Sequence, residues 1–314
     1  MIETYEQRKR IKNVRWILFW VAMMQTVATL VVNAAVSFMA KPSAEFVMIR
    51  MYLQLGIIEI IAFMIPILLY ARTGWSSAGR SAQQELKLLP FSPWAGLFIA
   101  CMAVGGQFIM VVLKIPGVLL MQGLGYTEPS QTGLLTAGAG TLFLGLLCTA
   151  VLPAFFEEFI LRGFVFSVYE QHSTRVAILF TTILFALLHG SVEEFLGILF
   201  LGAMLSFVLV RTGSLFAAML YHFGTNATAL FLEYTLQLYS TQVMEVPMML
   251  IYLFAGAFFL FVIGLFLFIR FVPRRKKVRA KRDGKLLVQS IFSAPVILCI
   301  ALEVILNFVT RSRI

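Results

Sequence analysis

The sequence predicts an all-α, polytopic transmembrane helix bundle of eight or nine helices with a cytoplasmic N-terminus. Hydrophobic residues make up 60% of the 314-residue chain and charged residues only 13%, whereas a soluble domain is roughly half apolar and about a quarter charged. The mean hydropathy is +0.91. Because one core cannot bury this excess of apolar residues, much of the surface is expected to face lipid. No polar stretch is long enough to form a separate soluble domain.

Nine predominantly apolar segments account for the composition, since a helix needs about 20 apolar residues to cross the hydrocarbon core. The predicted spans lie near residues 16–39, 46–70, 95–121, 135–156, 175–190, 195–210, 214–239, 248–272 and 286–309. The fifth and sixth spans are short, and they are expected to be tilted, buried or partly re-entrant. The charged stretch 157–174 follows Pro153. It is expected either to continue the fourth helix through a kink or to form a separate interfacial helix.

Basic residues are distributed unevenly between the two sides of these spans. With the N-terminus inside, 20 of the 25 Lys and Arg residues lie on the inner side and three on the outer side. Because cytoplasmic loops retain positive charge, the net charge of +10 is interpreted as an orientation signal and not as a nucleic-acid site. The basic loop 270–285 is expected to stop transfer, and binding of anionic lipid headgroups is the alternative.

The first polar cluster comprises Glu157, Glu158 and Arg162 in an otherwise apolar run. A charge inside a membrane helix costs about 2.5–3.5 kcal/mol, so these residues are functional candidates. Adjacent helical residues point about 100° apart, which predicts different roles for the two carboxylates. Glu158 and Arg162 have the i, i+4 spacing of an ion pair. Glu157 is then a candidate general base; a purely structural cluster is the alternative.

The second and third clusters each contain a histidine within a span. Phe185 and His189 are four residues apart, as are His222 and Asn226, so each pair shares a helix face. Imidazole and amide N–H groups can donate hydrogen bonds to an oxyanion. Each histidine could instead serve only as an interhelical hydrogen-bond partner. The third histidine, His172, is expected in a solvated loop.

Helix geometry gives these clusters different depths. At a rise of 1.5 Å per residue, His222 is expected about 12 Å and His189 about 21 Å from the cytoplasmic ends of their spans. Glu157 is expected near the cytoplasmic end of the fourth span. A cavity in the cytoplasmic half of the bundle is therefore predicted to bring the three residues together.

Other residues within the spans have no assigned role. Arg50, Glu59 and Lys114 are expected to pair with charges on other helices or, for Lys114, to reach the interface. The three cysteines lie in apolar segments at no short spacing. They are expected to be buried apolar side chains, and neither disulfide partners nor metal ligands.

Three motifs occur in order on successive apolar segments: Glu157-Glu158-x-x-x-Arg162, Phe185-x-x-x-His189 and His222-x-x-x-Asn226. In this arrangement the chain resembles the CPBP intramembrane protease family, which includes the type II CAAX prenyl endopeptidases and many bacterial Abi-type proteins. The resemblance covers about residues 135–235. It implies a catalytic core at 135–239, preceded by helices 1–3 at 1–134 and followed by C-terminal helices at 240–314.

The resemblance implies an endopeptidase that cleaves a membrane-associated protein or peptide in a bacterial plasma membrane, with the basic loops in the cytoplasm. Glu157 with His189 would activate the attacking water. His222 and Asn226 would stabilise the oxyanion, and Glu158 with Arg162 would hold the site electrostatically. Phe185 is a weaker candidate for contact with substrate.

Several questions remain open at the level of sequence. The enzyme is expected to need no cofactor, and the alternative is zinc held by Glu157, His189 and His222. The function alternatives are a non-catalytic bacteriocin-immunity or scaffold protein and a secondary transporter. A transporter predicts inverted repeats, and the motifs have no second copy in the sequence. The substrate and the oligomeric state are not predicted.

Overall fold

A computed structural model describes residues 4–37, 44–71, 82–127, 139–240, 246–274, 284–309 and 312–313. The predicted all-α fold is confirmed. The helices are α1 (Thr4–Ser37), α2 (Ala44–Ala71), α3 (Ala82–Glu85), α4 (Pro93–Gly123), α5 (139–170), α6 (Thr174–Leu188), α7 (Phe195–Thr212), α8 (Leu215–Ser240), α9 (Val246–Phe271), α10 (Gly284–Ile291) and α11 (Ala294–Val309). Within the described ranges, the only strands are β1 (Tyr126–Thr127) and β2 (Ser312–Arg313), which form a two-residue antiparallel pair.

The protein is an integral, multi-pass membrane protein. Among the described residues, six helices have the length and hydropathy of a membrane span, and the bent pair α10–α11 adds a seventh. The apolar parts of α2 and α6 are shorter. Large apolar side chains point outward, as at Phe259 and Phe266 of α9, because lipid replaces water around these helices.

The fourth predicted span is longer than the sequence indicated. Helix α5 continues without a break from residue 139 to Glu170, so of the two alternatives for 157–174 the continued helix is correct. Its irregular turns are π-helical, at Leu147–Val151 and Phe159–Val165. Glu157 and Arg162 consequently lie inside a span and not at its cytoplasmic end.

Eight of the helices enclose a central space. Neighbours pack against each other in the order α1, α2, α5, α8, α4, α7, α6 and α11, and α11 packs back on α1. Helix α9 packs against α4. Of the basic loop 270–285, residues 275–283 lie outside the described ranges, as does the side chain of Arg50. The division of the chain into three parts stays a prediction.

Side-chain and backbone contacts join several helices near the end of the ring at which α1 begins. Arg15 of α1 donates from Nη2 to Ser290 Oγ at 2.9 Å. Lys87, in the turn after α3, forms a 2.6 Å ion pair with Glu170 at the end of α5. The backbone oxygen of Lys87 also accepts from the N–H of Leu215 at 2.8 Å. The α3 segment therefore ties α5 to the beginning of α8.

The packing of α4 on α9 depends on Gly105. A Cβ at this position would lie 2.6 Å from Phe261 Cβ and 2.7 Å from Phe261 N. These distances are far below the usual carbon–carbon contact of about 3.5–4.0 Å. Gly256 of α9 has no atom within 4 Å of the equivalent position.

We expect Gly105→Ala to lower the free energy of unfolding by about 1–3 kcal/mol, because the added methyl group forces α9 away from α4. Gly256→Ala is the matched control, and it should be neutral or stabilise its helix by up to about 1 kcal/mol. Thermal unfolding of the two variants in detergent measures both effects. Equal midpoints would contradict this account of the α4–α9 contact.

Candidate active site

A cavity of about 750 Å³ lies inside the helix ring. Polar side chains from seven segments reach its wall. They are Gln25 and Thr29 of α1, Gln54 and Glu59 of α2, Gln107 and Lys114 of α4, Thr149 and Glu157 of α5, His189 after α6, Glu194 before α7, and His222 and Asn226 of α8. A smaller cavity of about 200 Å³ shares Gln25, Glu59, Glu157 and His189. The structure thus brings four of the predicted site residues to one space.

Glu157 lies on α5 between the two π-helical segments. Such segments concentrate at functional sites, because the wider turn redirects side chains and frees backbone groups. Among the described residues, Glu157 Oε2 is buried and has no hydrogen-bond partner. A carboxylate oxygen without a protein partner is well placed to bind a water molecule, since unpaired buried polar atoms are costly.

Glu158 lies next to Glu157 but points into a closed cluster. Its Oε1 accepts from Arg162 Nη1 at 2.9 Å and contacts His222 Nδ1 at 3.0 Å. The side chains of Glu158 and Arg162 have no exposed surface. The predicted i, i+4 ion pair is therefore present, and it also holds the imidazole of His222.

The ring of Phe185 packs against this cluster. The guanidinium of Arg162 lies 4.3 Å from the centre of the Phe185 ring. The same ring makes edge-to-face contacts with His189 at 4.6 Å and with His222 at 5.7 Å. Phe185 is completely buried and contacts both histidines. Its predicted contact with substrate stays a prediction.

His189 is held at the end of α6. Its Nδ1 lies 2.7 Å from the backbone oxygen of Phe185. Because a carbonyl oxygen only accepts, Nδ1 carries the hydrogen and Nε2 of the neutral ring keeps its lone pair. Gly190, with φ +63°, turns the chain immediately after His189, and a Cβ there would lie 2.9 Å from Glu303 O. The helix end therefore fixes the ring.

Asn226 projects from α8 one turn after His222. Its Nδ2 donates to the backbone oxygen of Thr149 at 3.1 Å. Thr149 belongs to the first π-helical segment of α5, so this contact joins α5 to α8. Since the amide nitrogen carries two hydrogens, one N–H group remains for a second acceptor.

The donor set does not fit a metal ion bound by three protein ligands. In the part of the chain that the structure describes, no group of three His, Cys, Asp or Glu residues has an arrangement that could hold one. Glu157, His189 and His222 line the same cavity but do not converge as ligands. Whether the protein needs zinc or no cofactor stays a prediction.

Two features of the site differ from the sequence expectations. Glu157 lies well inside α5, which continues to Glu170, and not near the end of its span as predicted. The error arose because the fourth span was taken to end at residue 156. The half of the membrane that contains the cavity stays a prediction. Sequence analysis also gave no role to Glu59, whose buried Oε2 has no partner among the described residues. The sequence signal that could have identified Glu59 is a charged residue within an apolar helix.

Comparison with known proteins concerns the segment that carries this geometry. Residues 139–228 match the family model described as Type II CAAX prenyl endopeptidase Rce1-like. The resemblance predicted from the three motifs is confirmed over this segment. The Rce1-like segment contains α5, α6, α7 and the first half of α8, and it includes all the predicted site residues. Searches of curated proteins and of solved structures gave no match to the chain.

The Rce1-like segment should depend on Arg162 for stability. Arg162→Met would leave the Glu158 carboxylate buried without its cation, and breaking a buried pair in this way costs about 3–5 kcal/mol. Arg175→Met, at an exposed position at the start of α6, should change stability by less than about 0.5 kcal/mol. Thermal unfolding in detergent compares the two.

Adding Glu158→Gln to Arg162→Met should recover part of the loss, because the two residues interact directly. A variant Arg162→Met as stable as Arg175→Met would show that the buried pair does not hold the site together.

Proposed function

We propose that the protein is an intramembrane endopeptidase that hydrolyses a peptide bond of a membrane-associated protein or peptide. The observation that carries this proposal is the unpartnered carboxylate oxygen of Glu157 in a cavity that also contains His189, His222 and Asn226. The match of this segment to an endopeptidase family supports it. A purely structural role would not require Glu157, His189, His222 and Asn226 to line the same cavity.

Glu157 acts as the general base. Its free oxygen binds the attacking water, and the lone pair on Nε2 of His189 accepts the second hydrogen of that water, so the molecule is held by two groups. Glu157 takes one proton as the oxygen attacks the peptide carbonyl. Glu157 then delivers the proton to the leaving nitrogen. Because water is the attacking group, no covalent bond forms between the peptide and the protein.

His222 and Asn226 stabilise the negative charge on the former carbonyl oxygen. Because Nδ1 of His222 faces Glu158, its Nε2 can donate only when the ring carries two hydrogens. In that state Nδ1 donates to Glu158 Oε1, which lies 3.0 Å away, and Asn226 contributes its second N–H.

Glu158 and Arg162 are positioning residues in this mechanism. They touch neither water nor substrate, but their ion pair fixes the ring plane of His222. Donors that are already oriented lose no free energy to reorganisation as the oxyanion forms, and this term is often the largest in catalysis.

Replacement of the base tests the proposal. Glu157→Gln keeps the shape of the side chain but cannot take a proton, so kcat for cleavage should fall by about 10²- to 10⁴-fold. Glu233→Gln, an exposed residue of α8, is the matched control and should retain activity. The assay measures cleavage of a panel of membrane-anchored peptides by purified protein in liposomes. Full activity of Glu157→Gln would refute the mechanism.

The histidines provide a second test. His189→Ala and His222→Ala should each lose activity, whereas His172→Ala, in the turn between α5 and α6, should not. Repeating each assay with a metal chelator decides the cofactor question. If wild type cleaves no peptide and Glu157→Gln keeps its cellular phenotype, the immunity or scaffold alternative replaces the peptidase.

A further inference from the structure

The cavity opens away from the basic end of the bundle. His222 is the lining residue of α8 nearest that end, and seven residues of helix, about 10 Å, separate it from Leu215. At the other end, the wall includes Glu194, which directly precedes α7, and Lys114 in the last third of α4. The lining therefore extends from mid-depth to the ends of helices on the far side.

The basic end, by contrast, is densely packed among the described residues. Val14 of α1, Val165 of α5 and Leu209 of α7 are completely buried there. The contacts of Lys87 and Arg15 described above add a polar layer beyond these side chains. Neither of the two cavities described above is lined by Arg15 or Lys87 of this layer.

A solvent-exposed ion pair marks the opposite, open side. Lys114 Nζ lies 3.1 Å from Glu194 Oε1, and the two side chains are 31% and 48% exposed. The turn that carries Glu194 is set close to α4 by Gly117, where a Cβ would lie 2.5 Å from Glu193 Cα. The Lys114–Glu194 pair is therefore a fixed part of the cavity mouth.

The distribution of basic residues indicates which side of the membrane the cavity mouth faces. The described helix ends at the packed side carry Arg10, Arg175, Arg211, Arg270 and Lys285. Positive charge is retained in the cytoplasm, so the packed side faces the cytoplasm. The mouth with Lys114 and Glu194 then faces the exterior.

The wall between the mouth and Glu157 suits an extended peptide. Gln25, Gln54 and Gln107 come from three different helices and line the same cavity. An amide side chain both donates and accepts, as a peptide backbone does. Three glutamine side chains around one cavity therefore suit the polar but uncharged backbone of a bound peptide.

We propose that the substrate is an extended peptide segment on the exoplasmic side of the membrane, which passes the Lys114–Glu194 pair and binds along the three glutamines to reach Glu157. This inference rests on the proposed peptidase function. It adds the side of access and the class of segment that the cavity accepts. Cytoplasmic segments would meet the packed end and would not be cleaved.

The side of the mouth can be measured without any substrate. In a background with Cys101, Cys148 and Cys299 replaced by Ala, we would introduce Glu194→Cys at the mouth or Arg175→Cys at the packed end. Both positions are exposed. A membrane-impermeant maleimide should modify Glu194→Cys in intact cells and Arg175→Cys only after permeabilisation. The reverse pattern would overturn the inference.

Cleavage in sealed right-side-out vesicles tests the substrate. A fluorogenic membrane-anchored peptide added outside should be cut, whereas the same peptide enclosed in the lumen should survive. Cleavage of only the enclosed peptide would overturn the inference and leave the peptidase intact. Cleavage of neither would refute the peptidase and this substrate assignment, while the labelling would still report the side of the mouth.

The glutamines have a separate readout. Gln54→Leu and Gln107→Leu should each raise KM about fivefold with kcat unchanged, as expected for one lost hydrogen bond of about 1 kcal/mol. Gln122→Leu, at an exposed position near the end of α4 and outside the cavity, should leave KM unchanged. Equal KM values for all three variants would overturn the peptide-binding role of the glutamines.

Discussion

The buried ion pair between Glu158 and Arg162 is the constraint on which the site depends. Two charges without exposed surface are stable only if they satisfy each other, and Glu158 does so while also holding His222. Arg162 in turn lies over Phe185, whose ring contacts both histidines. One pair thus connects α5, α6 and α8 and positions the groups that we propose to be catalytic.

The two adjacent glutamates of α5 face different surroundings. Glu158 faces a closed cluster, and Glu157 faces the cavity, as the 100° angle between helical neighbours requires. The π-helical turns on either side interrupt the regular bonding pattern of α5. The first of them contains Thr149, whose backbone oxygen binds Asn226. The departure from ideal helix geometry therefore occurs where the site needs backbone acceptors.

Much of the fold could be predicted from sequence, and four of the predicted site residues line one cavity. Long apolar runs gave the helices, and the i, i+4 spacing of Glu158 and Arg162 gave their ion pair. The length of α5 could not be predicted, because the charges at 157–162 resemble the end of a span unless their burial is known. Hence the predicted position of Glu157 near the end of its span was wrong. Glu59 also required the tertiary structure, since no motif marks it.

Hydrolysis in water enriched in ¹⁸O tests the central claim most directly. The protein in liposomes would cleave a membrane-anchored peptide, and rapid quenching followed by mass spectrometry would examine both the products and the intact protein. Direct attack by a water bound to Glu157 predicts one ¹⁸O atom in each new carboxyl terminus and no peptide attached to the protein at any time. A peptide–protein adduct that forms before the product, or a product without ¹⁸O, would contradict it.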